Sequence, residues 1–123
     1  MNTPEVIVYG IPNCDQIKKT RQWLNAHQVA HHFHDYRRDA LPRERLEAWV
    51  ADQGLDRLLN RRGTTWRALD EAQKQAADTD PAKAITLMLS QPSLIKRPVI
   101  EISGPSPSLL IGFSTDALEQ AFS

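Results

Sequence analysis

The stretch Val6-Ile7-Val8-Tyr9-Gly10-Ile11-Pro12-Asn13-Cys14-Asp15-Gln16-Ile17 changes its pattern twice, and its reading decides the fold. Val6 to Tyr9 is an unbroken apolar run, the signature of a strand covered on both faces. Gly10, Pro12 and Asn13 are turn residues. From Asp15 to about His27 the apolar positions adopt helical spacing, with Ile17, Thr20 and Leu24 on one stripe and Lys18, Lys19, Arg21 and Gln22 mostly off it. Ala30 to Tyr36 reads as a second extended segment. The chain therefore opens as strand, turn, helix, strand, and at this spacing a right-handed βαβ unit is expected.

Outward from this unit, the middle of the chain reads as helix. Pro42 stands where a first-turn proline belongs, Leu46, Trp49 and Val50 follow at helical spacing, and Gly54 supplies a stop. Leu55 to Asn60 predicts another short helix ending near Gly63. Asp80-Pro81 is a cap followed by a first-turn proline, with Ile85, Met88 and Leu89 as the buried stripe and Pro92 as terminator. After Pro98 the pattern becomes β again. Val99 to Ile102 and Leu109 to Phe113 flank Gly104-Pro105-Ser106-Pro107-Ser108, a loop of hairpin length. Ser114 or Thr115 can cap a last helix carrying Leu118, Ala121 and Phe122. The sum is an α/β fold, βαβ then ββα in one mixed sheet, interrupted by a helical insertion.

Composition narrows the functional classes. A chain of 123 residues is one domain's worth, able to bury about two-thirds of its unfolded surface. Fifteen Lys and Arg balance fifteen Asp and Glu. A general nucleic-acid binder needs a basic excess to displace counterions, so no direct nucleic-acid contact is expected. No apolar run approaches the roughly 18 residues of a membrane span, and the first residues lack the pattern of a signal peptide. Cys14 is the only cysteine and has no internal disulfide partner. These features point to the cytosol, where thiols stay reduced.

Three segments could carry chemistry. Cys14 lies between the turn and the first helix, and a helix N-terminus, with unpaired N–H groups and a positive dipole end, favours thiolate over thiol. Lys18, one turn on, adds positive potential, while Asp15 opposes it. A small buried filler is the alternative for a free cysteine, although its neighbours Pro12, Asn13, Asp15 and Gln16 are not core-like. With Ile17 where a C-x-x-C motif would place its second thiol, a reactive Cys14 needs an external resolving thiol, for which glutathione is the cytosolic choice. Next, Arg57, Arg61, Arg62 and Arg67 form a basic cluster in an otherwise neutral chain. Arginine suits bidentate capture of oxyanions and carboxylates, but a solvated helix face would carry the same pattern. Finally, Arg97-Pro98 opens a strand, as at a sheet edge or a cis-proline turn.

Other patterns carry less. His32 and His34 would share a strand face beside His31, yet no cysteine or carboxylate stands at ligand spacing, so no metal site is expected. His27 suits the end of a helix, and Trp23, Trp49 and Trp66 fall in helical patterns as packing residues.

Taken together, Tyr9-Gly-Ile-Pro-Asn-Cys14-Asp, Leu58-Leu-Asn-Arg-Arg62-Gly-Thr-Thr-Trp66-Arg67 and Leu94-Ile-Lys-Arg97-Pro98-Val-Ile, with Leu110-Ile-Gly-Phe-Ser114 after them, resemble the arsenate reductase (ArsC)/Spx family. The likeness is strongest to its small YffB-like branch. It implies a thioredoxin-like sheet made of about 4–38 and 92–123, a helical insertion over about 40–91, and one family domain over 1–123. It also implies an active-site cysteine at Cys14, an oxyanion- or thiolate-facing Arg97 and a cis Pro98. The departures are specific. Glutathione-coupled arsenate reductases carry a histidine where this chain has Gly10. Of their three oxyanion-binding arginines, the last would fall near Gly112, where no arginine stands, and the first at Asn60, beside Arg61 and Arg62. Each lost charge-assisted hydrogen bond is worth about 1.5–3 kcal/mol, which weighs against arsenate. A disulfide switch of the Spx kind is excluded by Ile17.

The expectation is a cytoplasmic, monomeric, monothiol oxidoreductase with no bound cofactor and glutathione as co-substrate. Cys14 is the nucleophile and Arg97 its anion-stabilising partner. Arg61 or Arg62, with Asn13 and Pro98, holds glutathione or another small anionic or thiol substrate. The alternatives are a non-enzymatic, Spx-like module that binds a protein partner such as RNA polymerase, and a true arsenate reductase.

Overall fold

The structure is a computed structural model that describes residues 4–12 and 14–122. The chain folds as two compact units, one made of 1–39 and 97–123, the other of 40–96.

The first unit is built on a four-stranded sheet in the order β2-β1-β3-β4. β1 (Glu5–Gly10) is followed by α1 (Asp15–Ala26) and β2 (His32–Asp35). β1 and β2 are parallel, with Ile7 opposite His32 and Gly10 opposite Asp35. β3 (Val99–Ser103) runs antiparallel to β1, pairing Tyr9 with Val99, and β4 (Ser108–Ile111) returns along β3. The hairpin loop is Gly104 to Pro107, one residue shorter than expected because Ser108 pairs with Ile102. α7 (Thr115–Phe122) closes the unit, and the Ser114 hydroxyl accepts the Ala117 N–H at 3.2 Å as its cap.

Alternation along the two central strands sorts their side chains. Val6 and Val8 of β1 and Ile100 and Ile102 of β3 pack with Ile17 and Leu24 of α1 and Leu118 of α7 in one buried cluster. Thr20 joins the buried stripe of α1 because its hydroxyl is satisfied locally, donating to the Gln16 carbonyl at 2.7 Å. Tyr9, on the opposite face, donates from its hydroxyl to Glu101 Oε1 at 3.0 Å. α1 ends as expected at His27, whose ring nitrogen Nδ1 lies 2.8 Å from the Trp23 carbonyl and whose ring stacks on Trp23.

The second unit is helical: α2 (Arg43–Gln53), α3 (Leu55–Leu58), α4 (Thr64–Ala68), α5 (Glu71–Thr79) and α6 (Pro81–Ser90), then a 3₁₀ turn (Pro92–Leu94). Three local readings need correction. Pro42 is the N-cap of α2 rather than a residue of its first turn. α3 stops at Leu58, because Leu59 turns extended to bridge Ile95, and Gly63 starts α4 instead of ending α3. Residues 92–96, assigned above to the sheet portion, belong to this unit. Asn60 N–H donates to the Leu94 carbonyl at 2.7 Å and Lys96 N–H to the Leu58 carbonyl at 2.8 Å. Asp80 caps α6 ahead of Pro81 as expected, with Ile85 and Met88 buried but Ala84 rather than Leu89 completing the stripe. A capping box between Asp70 and Gln73, a D-x-x-Q signal in the sequence, starts α5.

Candidate active site

The sequence places Cys14 at the join of β1 and α1, and the structure makes it the N-cap of α1. Its carbonyl accepts the Lys18 N–H at 3.0 Å, closing the first helical turn. Its thiol makes no capping hydrogen bond, and the residue is half-buried against the core cluster. The sulfur thus sits at the end of α1 where the first N–H groups lack helical partners. Asn13 lies outside the described residues.

Gly10 fixes how closely β1 approaches that helix. A Cβ on Gly10 would run into Cδ1 of Ile17, in the first turns of α1, and would lie 3.6 Å from Arg97 Cβ. Ile17 is 3% exposed within the core. A histidine here, as arsenate reductases carry, would therefore require Ile17 to shift. Gly10→Ala is expected to cost about 1–3 kcal/mol by overpacking, read as a lower urea midpoint. Trimming Ile17→Val in that background removes Cδ1 and should recover part of the loss. Equal stability of Gly10→Ala and the parent would contradict the close approach.

Arg97 and Pro98 join from the entry to β3. The Arg97–Pro98 peptide is cis, as the resemblance implies, and the Pro98 carbonyl accepts the Gly112 N–H at 2.8 Å. Gly112 has φ +86°, a left-handed conformation that a side chain with a Cβ adopts only with strain. The arginine expected near this position in an arsenate reductase is thus disfavoured by the backbone itself.

The arginine cluster belongs to the helical unit and is largely engaged there. Arg61 bonds Asp56 through Nη1 and Asp78 through Nη2, each at 2.9 Å, and its guanidinium lies over the Trp66 ring. Burial acts to lower the Arg61 pKa, but hydrogen bonds to Asp78 and Asp56 outweigh it and hold the group more firmly protonated. Arg57 donates to Gln53 Oε1 and Arg67 to the Arg62 carbonyl. Arg62 is exposed, and among the described residues its guanidinium has no acceptor. Of these two neighbours, Arg61 is ion-paired and Arg62 is left exposed.

His31 and His34 are engaged locally. His31 Nδ1 lies 3.0 Å from the Val29 carbonyl and His34 Nε2 3.0 Å from the Asp39 carbonyl. The sequence reading missed Tyr36, which borders Gly10 from the end of β2: its N–H donates to the Gly10 carbonyl at 2.9 Å. A tyrosine ending a strand carries no pattern that would single it out. A cavity of about 370 Å³, lined by Trp23, His27, Val29, Glu119 and Phe122, lies at the other end of α1 from Cys14.

A parallel β1-α1-β2 unit joined to an antiparallel hairpin, with a lone cysteine capping α1 and a cis-proline opening β3, defines a thioredoxin-like α/β protein. More narrowly, the chain belongs to the ArsC family, whose model matches residues 9–121. A solved protein named YffB superimposes with a TM-score of 0.87 at 52% identity, over 96% of this chain and 99% of that one. An arsenate reductase (ArsC)-related protein from Brucella melitensis matches at 41% identity with a TM-score of 0.70, over 96% and 94% of the two chains. The global transcriptional regulator Spx of Streptococcus mutans is 26% identical over 92% of this chain and 80% of its own length.

Proposed function

We propose that the protein is a monothiol, glutathione-dependent oxidoreductase acting on mixed disulfides. The observation that carries this reading is Cys14 at the N-cap of α1 with its thiol uncommitted to any cap. The Cys14 thiolate attacks the glutathione sulfur of a substrate mixed disulfide, forming a Cys14–glutathione disulfide and expelling the substrate thiolate, which takes up a proton. A second glutathione thiolate attacks the glutathione sulfur of that adduct, releasing Cys14 thiolate and glutathione disulfide. In sum the mixed disulfide and one free glutathione thiol become the substrate thiol and glutathione disulfide. Arg97 steadies negative charge near the reacting sulfurs. Arg62, Asn13 and Pro98 are the residues proposed to bind glutathione.

Among the described residues no helix is long and apolar enough to cross a membrane. The reading places the protein in the cytosol as a monomer, where glutathione is at hand. Its test is direct: incubation with glutathione disulfide should yield one glutathione per chain by mass spectrometry, mapped to Cys14 and removed by reduced glutathione. A chain that stays unmodified would sink the reading.

A second reading is favoured by the likeness to Spx over most of the chain. In it the fold is a protein-binding module, with RNA polymerase as the partner to try first, and binding survives Cys14→Ser. Arsenate reduction is weakened by the close approach of Ile17 to Gly10 and by the left-handed backbone at Gly112.

A further inference from the structure

Tyr36 holds a buried polar atom for which the fold itself supplies no use. Its ring is stacked 6.3 Å from Tyr9 and edge-on 6.2 Å from His34, and the residue is 5% exposed. The Tyr9 hydroxyl beside it donates to Glu101, yet among the described residues the Tyr36 hydroxyl has no hydrogen-bond partner. Buried hydroxyls almost always find one, so an orphan at this place asks for an acceptor from outside the chain. Burial, and next the nearby Tyr9, push the phenol far above its ordinary range, so it stays a neutral donor throughout the physiological span. Arg97 acts in the opposite sense, which places positive charge close to the hydroxyl.

Both residues border Gly10, Tyr36 through its backbone hydrogen bond and Arg97 through its Cβ. They flank the end of β1, from which the chain runs directly to Cys14. A cationic donor and an uncharged donor on one strand end suit an oxyanion, which accepts from both while Arg97 brings the countercharge.

We infer that Tyr36 is a substrate-binding residue whose hydroxyl donates a hydrogen bond to an oxyanion group, carboxylate or tetrahedral, seated beside Arg97. The inference rests on reading the Cys14 end of the sheet as the substrate site. It is tested on the full chain by titrating sulfate, a tetrahedral oxyanion, while following backbone and arginine Nε–H signals by NMR, with thermal melts recorded in parallel.

The expected result is saturable shifts at Gly10, Tyr36 and Arg97 in the parent, and sulfate affinity about tenfold weaker in Tyr36→Phe. The melting temperature of Tyr36→Phe should equal or exceed that of the parent, because no internal partner is lost. Equal sulfate affinity in the two proteins overturns the inference, as does the lack of saturable binding in the parent. A Tyr36→Phe melt lowered by several degrees also overturns it, since the hydroxyl would then have a structural partner. Sulfate binding needs no sulfur chemistry. If the redox reading alone fails, glutathione disulfide leaves Cys14 unmodified while the sulfate titration still separates parent from Tyr36→Phe. If this inference alone fails, the Cys14 adduct forms while sulfate does not discriminate.

Discussion

Cys14→Ser removes glutathione-dependent turnover, with kcat/KM falling at least about a thousandfold, while the protein keeps its fold. The loss is that large because the chain has no second cysteine, so no neighbouring sulfur can take over the attack. A serine hydroxyl at neutral pH offers almost no anion, and it does not exchange with disulfides. The fold survives because Cys14 is half-buried and its structural contribution to α1 comes from its carbonyl, which serine retains. A stability change within about 1 kcal/mol is expected, against the much larger kinetic effect. The pair of measurements is a steady-state assay with a glutathione mixed disulfide and a urea unfolding curve. Undiminished turnover in Cys14→Ser would remove the thiol mechanism and leave the protein-binding reading.

Arg97→Gln is expected to lower kcat/KM roughly ten- to a hundredfold, with the Cys14–glutathione adduct still formed. Arginine beside a developing thiolate or a bound oxyanion supplies a charge-assisted hydrogen bond worth about 1.5–3 kcal/mol, and glutamine keeps a donor but not the charge. The residue enters β3 through the peptide to Pro98, whose carbonyl is anchored by Gly112, so the backbone position should persist in the variant. Comparing kcat/KM for the two proteins at several salt concentrations checks the origin of the effect. A charge interaction in a half-open site weakens with ionic strength in the parent and not in Arg97→Gln. Equal kcat/KM would show that Arg97 serves the sheet entrance and not the reaction.

Much of this architecture is written in local patterns. The switch from the Val6–Tyr9 run to the Ile17, Thr20, Leu24 stripe gave β1 and α1 their type and their buried faces, since each period admits one secondary structure. The cap-and-proline pair Asp80-Pro81 marked the start of α6 for the same kind of reason, a donor satisfied within a few residues. The stretch from Leu55 to Ala68 carries no such pattern. α3 and α4 are too short to establish a period, and what ends α3 is the bridge from Leu59 to Ile95, a partner thirty-six positions away.

The site divides along the same line. By itself the sequence determined that one thiol stands before the first helix, that no second thiol can resolve it, and that charge is balanced overall, because these follow from composition and nearest-neighbour spacing. Only the tertiary structure decided which arginines are occupied. Arg61 is held by Asp78, seventeen residues on, as well as by Asp56, whereas adjacent Arg62 is left exposed. Only the tertiary structure, too, brought Tyr36 and Arg97 to Gly10, one through the parallel β1–β2 pairing and the other through the antiparallel β1–β3 pairing. Hydrogen bonds between strands set those meetings, and a strand's own sequence carries its period but not the identity of its neighbour.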